Sequence, residues 1–234
     1  MALFRKLALP AALLMVISTA LPTVAADDLN AVLAKLDAAS VKFKSAAADI
    51  NWDNVQTEPI PDKDSQVGTV LFERKNGQLS MALHLKTDNG KPVPKDMVYA
   101  GGQFKLYEPL LKQIQVFQAG ANRADYDTFL TLGFGGSGKD LVKNWHVTYA
   151  GTETIDGTST DKLELLPIQD SVKKNITKVI LWINMENGIA IRQRSIDPTG
   201  NYREVTYSHI QLNAPVPSGA FEVKTASGTR VVNH

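Results

Sequence analysis

The sequence predicts a mainly β protein of the α+β class, in which one amphipathic helix is followed by an antiparallel meander of hairpins. Two observations carry that reading. Leu29, Val32, Leu33 and Leu36, then Ala39 and Phe43, recur at helical spacing on one face of residues 28–43. After them the texture changes to short β-prone runs separated by turn residues: Asn76-Gly77, Asn89-Gly90, Gly101-Gly102, Asp156-Gly157, Asn187-Gly188 and Asp197-Pro198-Thr199-Gly200. Asn-Gly and Asp-Gly supply the positive φ angles that tight hairpins demand, so each pair marks a strand reversal.

Ahead of the helix, Arg5 and Lys6 precede an apolar run from Leu7 to Ile17, and Val24-Ala25-Ala26 forms a small-residue end. That is the order of a secretory signal peptide. The run is too short, and too interrupted by Pro10 and Pro22, for a membrane span, which needs about 20 apolar residues. The expectation is an exported, soluble chain. Residues 1–26 would be a cleaved signal, 27–223 one domain and 224–234 a flexible tail. Asp27 and Asp28 would then open the helix at its positive end.

Composition narrows the classes. Loss of Arg5 and Lys6 takes the formal charge from +1 to −1, which removes any electrostatic case for nucleic acid. The chain has no cysteine, so disulfides, thiolate metal sites, Cys nucleophiles and a lipid-modified N-terminal Cys are all excluded.

The Asn76-Gly77 turn fixes a register. A two-residue type I′ turn pairs Lys75 with Gln78, and counting outward places Arg74 opposite Leu79, Phe72 opposite Met81 and Val70 opposite Leu83 on one face. Glu73 with Ser80, Leu71 with Ala82 and Thr69 with His84 fall on the other. The first face is apolar except for Arg74. A guanidinium there either lays its stem on the sheet and its head in water or finds partners, because an unpaired buried charge is costly.

Residues 122–144 break the β pattern and read as two short helices around a glycine cluster. Gly133 to Asp140 resembles a phosphate loop, but Asp140 stands where a Ser or Thr must hold magnesium, and a helix precedes it where a strand is needed. A flexible joint is the better reading. Ser137 lacks a nucleophile elbow. His84, His146, His209 and His234 show no metal-ligand spacing. The pairs Asp62 with Asp64 and Asp125 with Asp127 suit turns and caps, and Trp52, Trp145 and Trp182 suit core or rim. No catalytic residue, metal or cofactor is expected.

The order of the segments resembles the LolA-type outer-membrane lipoprotein carriers over nearly the whole chain after residue 26. The resemblance rests on the leading helix with Phe43 and Ala47-Ala48-Asp49, the strand Gly68 to Arg74, and Gly101 to Pro109 followed by Gln113. It continues through Asp156-Gly157, Leu163 to Pro167, Val179 to Asn184 and the closing Phe221. Pro59 to Ser65 and Asp88 to Asp96 are longer than a minimal member needs.

That resemblance implies a half-open antiparallel β-barrel capped by a helical lid over an apolar cavity. Val70, Phe72, Leu79, Met81 and Leu83 would line the cavity from the sheet, with Phe129 and Leu132 from the lid, and Arg74 would hold the lid by its backbone. It further implies a non-enzymatic monomer that takes acylated lipoproteins from an inner-membrane lipoprotein-releasing ABC transporter to an outer-membrane acceptor. A periplasmic sensor or carrier of another lipid, and a secreted hydrolase with a carboxylate or Ser site, stay open as alternatives.

Overall fold

The computed structural model describes residues 23–120 and 129–234. The apolar run of the expected signal peptide lies outside them, as do Tyr126 and the Asp125/Asp127 pair. Helix α1 spans Thr23–Lys42, so it starts before the acidic pair and has no acid in its first turn. Sequence reasoning placed its start at Asp27 and Asp28. The uncut chain instead carries the helix back through Val24-Ala25-Ala26, where nothing stops it and alanine favours it.

Six strands follow: β1 Ser45–Gln56, β2 Asp62–Lys75, β3 Gln78–Asp88, β4 Lys91–Ala100, β5 Gln103–Glu108 and β6 Gln113–Gln118. After helix α2, Gly138–Asn144, come β7 Trp145–Ile155, β8 Thr158–Pro167, the short α3 Asp170–Lys173, β9 Lys178–Asn184, β10 Ala190–Ile196 and β11 Tyr202–Leu212. A last strand, β12, spans Arg230–Asn233. Every turn pair singled out in the sequence joins two adjacent strands. The extra length at Pro59 to Ser65 and Asp88 to Asp96 goes largely into the ends of strands, where β1 pairs with β2 out to Gln56 and Asp62, and β3 with β4 out to Asp88 and Lys91.

All twelve strands form one sheet in the order β12-β6-β5-β4-β3-β2-β1-β11-β10-β9-β8-β7. Two meanders are thus joined by the pairing of β1 with β11, and the sheet stays open because its edges do not meet. This is the half-open barrel. Every neighbouring pair is antiparallel except β12 with β6. The β2–β3 register is the one the hairpin turn dictates, from Lys75 opposite Gln78 out to Thr69 opposite His84.

The closing residues differ from expectation. Val223 packs on Tyr107, Ile114 and Val116, the Ala226 amide donates to the Tyr107 hydroxyl at 3.0 Å, and β12 continues the ladder of β6. Composition suggested a loose tail. The open edge of β6 offers unpaired backbone groups, and β-prone Val231-Val232 satisfies them.

Two apolar clusters cover the inner face. Val32 and Leu36 of α1 pack with Trp145, Leu163 and Leu181 over one half of the sheet, while Phe43, just past the helix, joins Phe72, Leu79 and Phe134 over the other. The helix therefore covers one half of the concave face, and the residue just after it anchors in the other.

Gly68 tests the geometry of the curl. It lies where β2 shifts register against β3, and a Cβ there would run into the backbone carbonyl of His84. Gly68→Ala should cost about 1–3 kcal/mol, seen as a lower urea midpoint at unchanged slope. An unaltered midpoint would show that the two strands can separate freely at this point.

Candidate ligand cavity

Between the sheet and its covering segments lies a cavity of about 990 Å³, at the upper end of the range of about 300–1,000 Å³ usual for ligand sites. Its floor comes from alternate residues of neighbouring strands: Val70 and Phe72 of β2, Met81 and Leu83 of β3, and Ile50 of β1. Phe129, Leu130 and Leu132 roof it. The strands run from this apolar floor to a polar mouth, where Asn54, Asp62, Asp64, Asn201 and Arg203 stand.

At the end away from the mouth, the half-buried Arg74 closes the structure. Its guanidinium donates to the Gly135 carbonyl at 2.6 Å and to the Ser40 carbonyl at 3.3 Å, and lies 5.5 Å from the centre of the Phe43 ring. Ser40 belongs to the last turn of α1 and Gly135 to the glycine cluster, so one side chain ties together two covering segments distant in sequence. Burial lowers the pKa of Arg74, partly offset by the Asp140 carboxylate, but an arginine stays charged regardless.

The glycine cluster is a close-packed joint, not a loose one. Gly135 has φ +78°, and a Cβ on it would lie 2.5 Å from the Phe43 ring. At Gly138 a side chain would meet the Leu33 carbonyl, so α2 can rest against α1 only because that position is bare. Just before Gly135, Phe134 is almost fully buried, stacked on Phe72 with centroids 4.9 Å apart and edge-on to Tyr207 at 4.7 Å. Ser137 plays a structural part, since its Oγ accepts from the Asp140 amide and caps α2. Further ties hold the cover elsewhere, namely Lys35 with Asp161 at 3.0 Å, the Lys139 amide to Asp37, and the Ala190 amide to the Gly133 carbonyl.

Of the seven residues expected to line the cavity, Val70, Phe72, Met81, Leu83, Phe129 and Leu132 do so. Leu79 does not. It sits opposite Arg74 at the turn end of the hairpin, beyond the floor, where it is buried in the cluster that holds Phe43 and Phe134. Sequence reasoning missed Phe134, Trp52, Gln193 and Tyr207. Phe134 lay in a motif weighed as a phosphate loop and read as a flexible joint, and the others reach the site through the pairing of β1 with β11, which no local spacing encodes. Among the described residues, no three His, Cys, Asp or Glu side chains converge to hold a metal ion.

No protein-family model and no curated protein sequence matches the chain. Solved structures do. An uncharacterized conserved protein from Thermus thermophilus has a TM-score of 0.55 at 9% identity, covering 88% of this chain and 99% of its own. MucB of Pseudomonas aeruginosa has a TM-score of 0.50 at 11% identity, covering 88% of this chain and 66% of its own. A domain from Vibrio parahaemolyticus assigned to outer membrane lipoprotein sorting gives 0.46 at 11% identity, over 83% of this chain and 95% of that one. What the chain shares with these structures is the fold.

Two outcomes follow from the geometry. Arg74→Leu removes two bonds from a charged donor, each worth about 1.5–3 kcal/mol, so amide exchange at residues 131–136 and in the last turn of α1 should quicken at least about tenfold. Exchange in β8 and β9 should not change. Unchanged rates at the cover would mean that Arg74 does not hold it. At the mouth, the Thr199 side chain, then the Thr199 and Asn201 amides, hold the Asp197 carboxyl below its ordinary 3.8. A depressed folded pKa stabilises the turn above the unfolded value, and that contribution is lost as pH falls through the folded one. Acid titration followed by the Thr199 amide resonance should therefore show this turn intact at pH 3.8 and opening only below it.

Proposed function

We propose that the protein is a periplasmic carrier that shields the acyl chains of lipoproteins and shuttles them from the inner to the outer membrane. The observation that carries this is the large cavity with an apolar floor and roof, a polar mouth and a cover tied down by the half-buried Arg74. The sequence resemblance to LolA-type carriers points the same way. On this reading an inner-membrane lipoprotein-releasing ABC transporter loads the cargo and an outer-membrane acceptor receives it, and the chain acts by binding rather than catalysis.

Magnitudes suit a reversible shield. Each buried methylene is worth about 0.8 kcal/mol, so ten of them resist exposure to water by about 8 kcal/mol. The two bonds of Arg74 together supply about 3–6 kcal/mol, which about four to eight methylenes match. An entering acyl chain can therefore displace the latch, and its departure lets the latch re-form.

Native mass spectrometry of protein purified from periplasm tests the reading, alongside transfer of an acylated lipoprotein between inner- and outer-membrane vesicles. Copurified acylated protein, with transfer reduced at least about tenfold by Arg74→Leu, is the expected result. A free fatty acid or phospholipid as the sole copurified mass would assign the fold to another lipid instead. Loading and transfer both untouched by Arg74→Leu would remove Arg74 from the mechanism.

A further inference from the structure

Inside the cavity, two polar side chains differ from the other groups on the wall. Gln193 of β10 is only 8% exposed, lies between Leu181 of β9 and Val205 of β11 in the sheet, and lines the cavity. Its carboxamide has no hydrogen-bond partner among the described residues. Nor is it sealed into the core, since its polar atoms open on the cavity space.

Tyr207 of β11 is the second. It stands two residues from Val205 and so lies diagonally across from Gln193, a separation of about 7–8 Å that long side chains bridge. Its ring is fixed edge-on by Phe134, and its hydroxyl likewise has no partner among the described residues. Tyr207 lines the cavity, and burial pushes its pKa upward. By contrast, the Trp52 indole N–H nearby is already committed to Asn54 at 3.2 Å.

Both groups are open to the cavity and can pair with water there, so a ligand that displaces this water must offer them a partner in its place. Their position says which partner fits. Along β11 the inner face runs from Tyr207, opposite Ile50 of the floor, through Val205, opposite Trp52, to Arg203, opposite Asn54 at the mouth. Gln193 is level with Val205. A ligand with its tail on the floor and its head at the mouth therefore places its junction beside these two donors.

We infer that the Gln193 amide and the Tyr207 hydroxyl form a hydrogen-bonding point for the carbonyl oxygen of an ester- or amide-linked acyl chain. The ligand class is then acyl lipids and acylated proteins, as distinct from alkyl ethers and plain hydrocarbons of the same bulk. This deepens the carrier reading and rests on it. A carbonyl satisfies both donors, whereas an ether analogue leaves them desolvated and poorly paired, the situation in which a polar site discriminates most strongly.

The test compares two probes, a diacylglycerol phosphocholine and its dialkyl ether counterpart with the same chains, bound to the delipidated protein. The wild type should bind the ester at least about tenfold more tightly, and in Gln193→Leu, Tyr207→Phe and their combination the ratio should fall toward one through weaker ester binding. Should Gln193→Leu fail to fold, judged by circular dichroism and melting, Tyr207→Phe alone carries the test. Equal affinity of the wild type for both probes, or a preference that survives the substitutions, overturns the inference and leaves the carrier reading standing. Binding of neither probe overturns both.

Discussion

One permanently charged side chain at the apolar end of the β2–β3 face joins the sheet to two covering segments. The register of the Asn76-Gly77 hairpin puts Arg74 on the same face as Val70 and Phe72, and its stem carries the guanidinium up to the cover. There it meets carbonyls, not carboxylates. A full ion pair would be harder to open, because each partner would be left buried and charged. Carbonyl acceptors give bonds of a few kcal/mol that can be replaced without stranding a second charge. Because the guanidinium does not deprotonate in any physiological range, the latch cannot be worked by pH. On the carrier reading, competition for the surfaces it holds together would release it.

Those surfaces are aromatic. Phe43 lies beneath the guanidinium, and Phe134 is wedged between Phe72 and Tyr207. The bare positions at Gly135 and Gly138 let the cover approach closely enough for this wedge to seat. Phe134 packs against Phe72 and Tyr207 at the end of the floor nearest Arg74. On the carrier reading, chain and ring compete for the same apolar face, and the surface uncovered when Phe134 withdraws is covered again by the cargo. That exchange keeps the difference between the two states small relative to the large energies of either.

Much of the fold was legible because its signals are local. The six turns are written as Asn-Gly, Asp-Gly, Gly-Gly or Asp-Pro-Thr-Gly, and once one turn type is known the period of two assigns each side chain to a face. The β2–β3 pairing and most of the cavity floor follow from that alone. What was not legible depends on distant pairing or on chain context. The β1–β11 seam brings Gln193 and Tyr207 to the wall across more than a hundred residues. Leu79 has the right face but the wrong depth, which periodicity cannot resolve. The glycine cluster reads as flexible because glycine permits flexibility, whereas here it permits contact. The last strand was missed because an unpaired edge elsewhere in the fold, not the tail's own composition, orders it.

The two halves of the cover are held unequally, and this gives opening a direction. Over β8 and β9, α1 is fixed by Val32 and Leu36 in a dry cluster and by Lys35 on Asp161, whose carboxylate side chain is only 5% exposed. Such a pair is costly to break one-sidedly, since the buried carboxylate would lose its counter-ion. Over β2 and β3 the hold consists of two carbonyl bonds and the aromatic wedge. The cavity floor lies beneath this weaker half, and the mouth opens at the far end of the same strands. On the carrier reading, a chain sliding inward along Val70 and Phe72 would thus arrive under Phe134 and Arg74, not under Lys35. On that reading the yielding side is the one the ligand would reach, so the cover would lift there while the salt bridge keeps it registered on the sheet.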